Sequence, residues 1–194
     1  MRTTGIEPLS DEPETDRLFD ETEVELIDGI EVPKMSPKRR HSVLQLAIGE
    51  MLRAWAGERG TVGTEWRFCL EPQTDCETSL VPDIAFVSAE RLESLTDDEV
   101  EEPPFAPDIA VEIRSPGDRE RNVARKIKRY LEHGGRLVLD IQPALRTIVA
   151  HDANGRQTFG QADTFNHVEV SGLTFSVGDY FAKADWTRRK ASDS

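Results

Sequence analysis

Three carboxylates stand at spacings that a cation-dependent chemistry would use. The tetrapeptide PDIA occurs twice, at 82–85 and 107–110, so that Asp83 and Asp108 each precede an apolar run, and Glu112 follows the second copy closely. Residues 109–114 alternate, with Ile109, Val111 and Ile113 on one side and Ala110, Glu112 and Arg114 on the other, the period of a half-buried strand. Asp108 and Glu112 share one face of that strand, but at ~3.3 Å per residue they lie ~13 Å apart. Oxygen ligands sit only ~2.1 Å from Mg²⁺, so the two cannot share an ion. Asp83 reaches Glu112 if its strand is the neighbour. The same spacing suits an Asp that merely enters a strand after proline and a Glu on a solvated face. Spacing alone leaves both readings open.

A basic amphipathic helix over about 119–133 follows the turn at Ser115-Pro116-Gly117. Val123, Ile127, Tyr130 and Leu131 make its apolar stripe. At ~100° per residue, Lys126 and Lys128 fall on opposite borders of the stripe, while Arg125 and Arg129 point away from it. Either lysine would reach the sheet edge near Glu112, or simply snorkel along the helix flank.

The elements that must position these groups follow from pattern. Residues 23–35 read as a hairpin turning at Asp28-Gly29. A helix covers about 40–58, with Val43, Leu44, Ala47, Ile48, Met51, Leu52 and Trp55 at helical spacing. Strands are expected at 61–70, 80–87, 107–114 and 136–141, and one short helix in 90–102. A second hairpin, 145–151 with 156–160, turns at Asn154-Gly155, and a last short strand and helical turn precede the C-terminus. The expected class is α+β, a mixed central sheet with a helix on each flank. One domain over 21–184 is expected, with an acidic tail at 1–20 and a polar tail at 185–194.

The chain has 194 residues and a formal charge of −13, unevenly spread. Residues 1–31 carry −9 and 90–102 carry −6, whereas 114–136 carry +5. The acidic bulk weakens nonspecific attraction to a polyanion but leaves one basic element to meet it. No apolar run approaches the ~18 residues of a membrane span, and the N-terminus has no apolar signal core. A cytoplasmic protein with no membrane partner is expected. Cys69 and Cys76 have neither CxxC spacing nor a nearby histidine, and read as reduced thiols.

The ordered set ELIDGIEV, MSP with a following His, VPDIAFV, PDIAVEIRSPGD, Lys-x-x-x-Tyr and GGRLVLDIQP resembles the Uma-two family of restriction-endonuclease type, part of the PD-(D/E)XK nuclease superfamily. The resemblance spans about 23–182. It implies a restriction-endonuclease-like core in which acids on adjacent strands bind Mg²⁺ or Mn²⁺ and cleave DNA. Residue by residue, it implies Asp83 and Glu112 as metal-binding and catalytic, and Lys126 as the catalytic lysine through Lys126-x-x-x-Tyr130. The motif's own lysine position holds Arg114, which cannot serve as a base. His41 and Glu31 match further family positions. Arg125, Lys128, Arg129, Lys38 and Arg39 are the expected contacts to the phosphate backbone. The departure from the family's Trp and Asp-Pro after the helix, where Leu139, Asp140-Ile141 and Gln142-Pro143 stand, bears on local packing. The rival expectation is a catalytically weak nuclease-fold protein that binds nucleic acid or a protein. A homodimer would suit a two-strand cutter, though no residue specifies one.

Overall fold

The structure is a computed structural model that describes residues 24–34, 37–72 and 76–185. The expected tail at 1–20 lies outside the described residues, as does nearly all of 185–194. No helix among the described residues is long and apolar enough to cross a membrane.

The first hairpin forms as its turn demands. β1 (Val24–Ile27) and β2 (Ile30–Pro33) pair antiparallel, and Asp28 and Gly29 both take positive φ, as a two-residue turn of this hand requires. Then come α1 (Arg39–Ala56), β3 (Gly60–Thr64), β4 (Phe68–Cys69), β5 (Ser79–Leu80) and β6 (Ile84–Ser88). α2 (Ala89–Leu92) and α3 (Asp97–Glu101) lead to β7 (Ile109–Ile113), α4 (Glu120–Glu132) and β8 (Leu137–Gln142). β9 (Thr147–Asp152), β10 (Gly155–Phe159), β11 (Thr164–Phe165), β12 (Phe175–Ser176) and α5 (Val177–Ala182) follow among the described residues.

Six strands form the central sheet in the order β10-β9-β8-β7-β6-β3. β7 and β8 run parallel, with α4 as their crossover, and all other neighbours are antiparallel. The sheet is mixed, as expected. Strand parity sorts the core into two layers. Ile109, Val111 and Ile113 of β7 pack with Leu44, Ile48 and Leu52 of α1 and with Tyr180 and Phe181 of α5. Ala110 faces the other way, with Val123, Ile127 and Tyr130 of α4 and with Ile27, Phe68 and Leu80 of a second sheet, ordered β2-β1-β5-β4. Glu112 belongs to this second face by alternation, so it lies beneath a helix rather than in solvent.

Four expectations are corrected. The run 80–87 is two strands in two different sheets. Pro82 offers no N–H, and the Val81 N–H goes to the carboxylate of Glu25, 2.8 Å away, instead of a ladder partner. The run 61–70 breaks likewise, at Glu65 with φ of 51°, and the segment 90–102 forms two short helices instead of one. Cys69 and Cys76 are joined in a disulfide, with Cα atoms 5.5 Å apart. Cys69 pairs with Ser79 across β4 and β5, so Cys76 lies close to it, which no linear spacing reveals. Such bonds are rare in reducing compartments, so the cytoplasmic expectation loses the support it drew from free thiols.

Candidate active site

Asp83 stands one residue before β6, and β6 pairs with β7 with Ile84 opposite Val111. One further rung sets Asp83 opposite Glu112. The two strands are neighbours, which was the condition on which the pair depended. Asp83 is 3% exposed. Its Oδ2 accepts the Ile113 N–H at 2.6 Å and lies 3.2 Å from His41 Nε2, while Oδ1 is 3.5 Å from Lys34 Nζ. The Asp83 carboxyl is held below its ordinary value: burial works upward, and His41, Lys34 and the Ile113 N–H together outweigh it.

Glu112, with its side chain 12% exposed, meets α4. Lys126 Nζ donates to its Oε2 at 2.6 Å and the Tyr130 hydroxyl to its Oε1 at 2.7 Å. Lys126 and Tyr130 are one helical turn apart, so the Lys-x-x-x-Tyr spacing places both on the face toward β7. The ambiguity between Lys126 and Lys128 is resolved by this contact. Lys126 is buried, whereas Lys128 is exposed and 3.5 Å from Glu132.

A second carboxylate holds Lys126 from the opposite side. Glu25 of β1, 4% exposed, accepts from Lys126 Nζ at 2.9 Å through Oε2, while its Oε1 takes the Val81 N–H. Burial alone would lower the Lys126 pKa, but Glu112 and Glu25 drive it upward and keep the ammonium charged. Burial also drives the Glu112 carboxyl up to about 7, against the pull of Lys126 and with the nearby charges of Glu25 and Asp83 adding to the rise.

Glu25 escaped the sequence reading, which favoured Glu31. Hairpin register explains the difference. Glu25 pairs with Val32 and Leu26 with Glu31, so the two glutamates face opposite ways, and Glu31 is exposed at the rim. Strand alternation in EVELI was the available signal. Lys34 was also missed: it ion-pairs with Glu65 and donates to the Val81 carbonyl at 2.9 Å. Gln45 of α1 braces the same group, donating to Glu65 at 2.7 Å and to the Asp83 carbonyl at 2.9 Å. His41, on the first turn of α1, keeps its Nδ1 buried without a hydrogen-bond partner.

Arg114 is placed away from this group. It forms two hydrogen bonds to the buried Asp140, at 2.7 and 2.6 Å, and pairs with Glu120. Arg125 and Arg129 do not project freely either. Both clasp the Asp28 carboxylate at the hairpin turn, with Arg125 Nε at 3.0 Å. Arg39 donates to the Ala184 carbonyl at 2.6 Å, and Lys38 is exposed at the N-cap of α1. Asp108 serves the far end of β7, accepting the Ser88 N–H at 2.8 Å.

These groups open into a cleft of about 470 Å³ between the β1–β2 hairpin and the start of α4. Glu25, Lys34, His41, Asp83, Glu112 and Lys126 line its depth. Among the described residues no three His, Cys, Asp or Glu side chains are grouped to hold a metal ion. Two carboxylates from adjacent strands, with a lysine bridged to a third, are what the cleft offers.

Residues 13–178 match the model of the Uma2 family, described as "Putative restriction endonuclease". The chain belongs to the Uma2 family. A crystal structure of a protein from Anabaena variabilis, titled a putative nuclease belonging to DUF820, superposes with a TM-score of 0.74 at 22% identity, covering 84% of this chain and 92% of that one. That likeness establishes a nuclease-like fold for the Uma2 chain, consistent with the PD-(D/E)XK superfamily. No curated protein shows significant similarity to it.

Proposed function

We propose that this Uma2 protein is a Mg²⁺- or Mn²⁺-dependent endonuclease that hydrolyses DNA phosphodiester bonds in the cleft beneath the hairpin. The observation that carries this reading is the facing pair Asp83 and Glu112, buried on neighbouring strands with Lys126 bonded to the second. The donor set suits the ion. Mg²⁺ is commonly held by one or two carboxylates, the rest of its coordination coming from water and substrate phosphate. Each carboxylate oxygen has two lone pairs, so the bonds already made leave acceptor capacity on both groups. Such an ion, when bound, would polarise the phosphodiester and lower the pKa of an attacking water.

The chain's own groups then have distinct work. Lys126, kept charged between Glu25 and Glu112, stabilises negative charge developing on the phosphate and does not take a proton. Tyr130 fixes the rotamer of Glu112, and the Ile113 N–H with His41 fixes that of Asp83. Arg114, spent on Asp140, acts in the frame and not on the substrate. The engagement of both carboxylates by protein donors favours a second reading, a nuclease fold kept for binding. Calorimetric titration with Mg²⁺ and Mn²⁺, alongside plasmid cleavage, tests both. Saturable binding lost in Asp83→Ala and Glu112→Ala together with cleavage is the expected result. Binding indifferent to both substitutions would sink the metal site, and metal binding without cleavage would favour the second reading.

A further inference from the structure

The two facing carboxylates keep different cations. Glu112 has Lys126, which is fixed on α4 and bonded to Glu25 as well. Asp83 has Lys34, which follows β2 directly. The Lys34 ammonium ion-pairs with Glu65, donates to the Val81 carbonyl at 2.9 Å and lies 3.5 Å from Asp83 Oδ1. Burial works against its charge, but Asp83, Glu65 and Glu112 outweigh burial and keep it an ammonium. Its hold on Asp83 is loose, since 3.5 Å exceeds the ~2.7–3.2 Å of an ordinary N–H···O bond. Lys34 can leave Asp83 and still keep a carboxylate and a carbonyl.

The oxygen that Lys34 faces is the one freer to take an ion. Asp83 Oδ2 accepts the Ile113 N–H at 2.6 Å and has His41 Nε2 at 3.2 Å, whereas Oδ1 faces Lys34. An ion ~2.1 Å from Oδ1 would lie within about 6 Å of the ammonium in whatever direction it is placed. The Lys34 and Asp83 side chains are 15% and 5% exposed, so like charges at that range repel by more than they would in water. Glu65 offers the displaced charge a place. Its side chain is 33% exposed, and Gln45 braces its other oxygen at 2.7 Å.

We propose that Lys34 is the counter-ion of Asp83 in the metal-free protein, shared with Glu65, and that it withdraws onto Glu65 when a divalent cation takes Asp83. This rests on the metal site proposed above and adds to it a positioning residue that sets how tightly the ion is held. The test is calorimetric titration of the full chain with Mn²⁺ alone, without nucleic acid. Wild type is compared with Lys34→Gln, Glu65→Gln and the double variant, each checked for folding by circular dichroism, with Asp83→Ala as reference. Lys34→Gln, which keeps a donor for the Val81 carbonyl, should bind Mn²⁺ about tenfold more tightly. Glu65→Gln, which leaves the ammonium no second carboxylate, should bind about fivefold more weakly. In the Lys34→Gln background that loss should shrink below about twofold, because the ammonium through which Glu65 acts is gone. A Lys34→Gln affinity at or below wild type overturns the proposal. An equal Glu65→Gln loss in both backgrounds does so too, since Glu65 would then act on the ion directly. Wild-type crystals grown with Mn²⁺ give a reading free of any folding defect. Lys34 Nζ should stand beyond about 4 Å from Asp83 Oδ1 and still meet Glu65, and an unchanged Asp83 contact beside the bound ion overturns the proposal. Mn²⁺ binding that is absent throughout, or indifferent to Asp83→Ala, sinks the metal site and the counter-ion together. Binding lost in Asp83→Ala but not strengthened by Lys34→Gln sinks the counter-ion alone.

Discussion

Lys126 shows how much of the site rests on single side chains. It is 7% exposed and bonded to two carboxylates, one 14 and the other 101 residues away. Lys126→Ala leaves Glu25 and Glu112 buried without their cation and should cost about 3–5 kcal/mol in urea denaturation. A loss under about 1 kcal/mol would refute the bridge. Arg114→Ala removes the cationic partner of Asp140, which is 1% exposed, and leaves it the Gln142 amide alone. It should lower stability by a similar amount, about 3–5 kcal/mol, while leaving Mg²⁺ affinity near wild type, as measured by denaturation beside calorimetry. The sequence made Asp83, Glu112 and Lys126 legible because motif order and strand parity act locally. Glu25 and Tyr130 were harder. Glu25 requires the hairpin register, and Tyr130, fully buried, reads as plain apolar stripe until its hydroxyl is seen on Glu112.

At the scale of elements, the hairpin and α4 act as a pair joined by Asp28. Burial would raise the Asp28 carboxyl, but hydrogen bonds from Arg125 and Arg129 more than offset it and hold it below its ordinary value. The folded protein therefore takes up this proton less readily than the unfolded chain. Its stabilising contribution is present above about pH 4 and fades as pH falls through the depressed value. Asp28→Asn should melt below wild type at neutral pH, by about 1 kcal/mol for a partly exposed pair, with the gap closing toward pH 3. Asn tolerates the positive φ of 54° at this position, so backbone strain does not confound the comparison. Element types were largely readable, since β7, α4 and β8 each carry a clean period. The break at Pro82 was not, because only the fold supplies the Glu25 carboxylate that receives the Val81 N–H.

For the molecule as a whole, the order of strands escaped the sequence most completely. A four-stranded sheet closes over the face of the central sheet that carries Glu112. The Cys69–Cys76 bond lies at the margin of that second sheet. Reduction should lower stability by about 2–3 kcal/mol for so short a loop, read as a fall in urea midpoint with dithiothreitol. An unchanged midpoint, or free thiols by mass spectrometry in the untreated protein, would remove the bond from the account.

The hairpin's attachments span nearly a hundred residues of sequence, from Asp28 to Arg125 and from Glu25 to Lys126. β1 and β2 belong to the four-stranded sheet, whereas β7 lies inside the six-stranded one. Parts joined this way can part company without global unfolding. Amides of Val24–Ile27 should therefore exchange with deuterium through a local opening, while those of Ile109–Ile113 wait for the whole domain to unfold. Each such opening would widen the access of water to a charge cluster that the closed form holds largely buried.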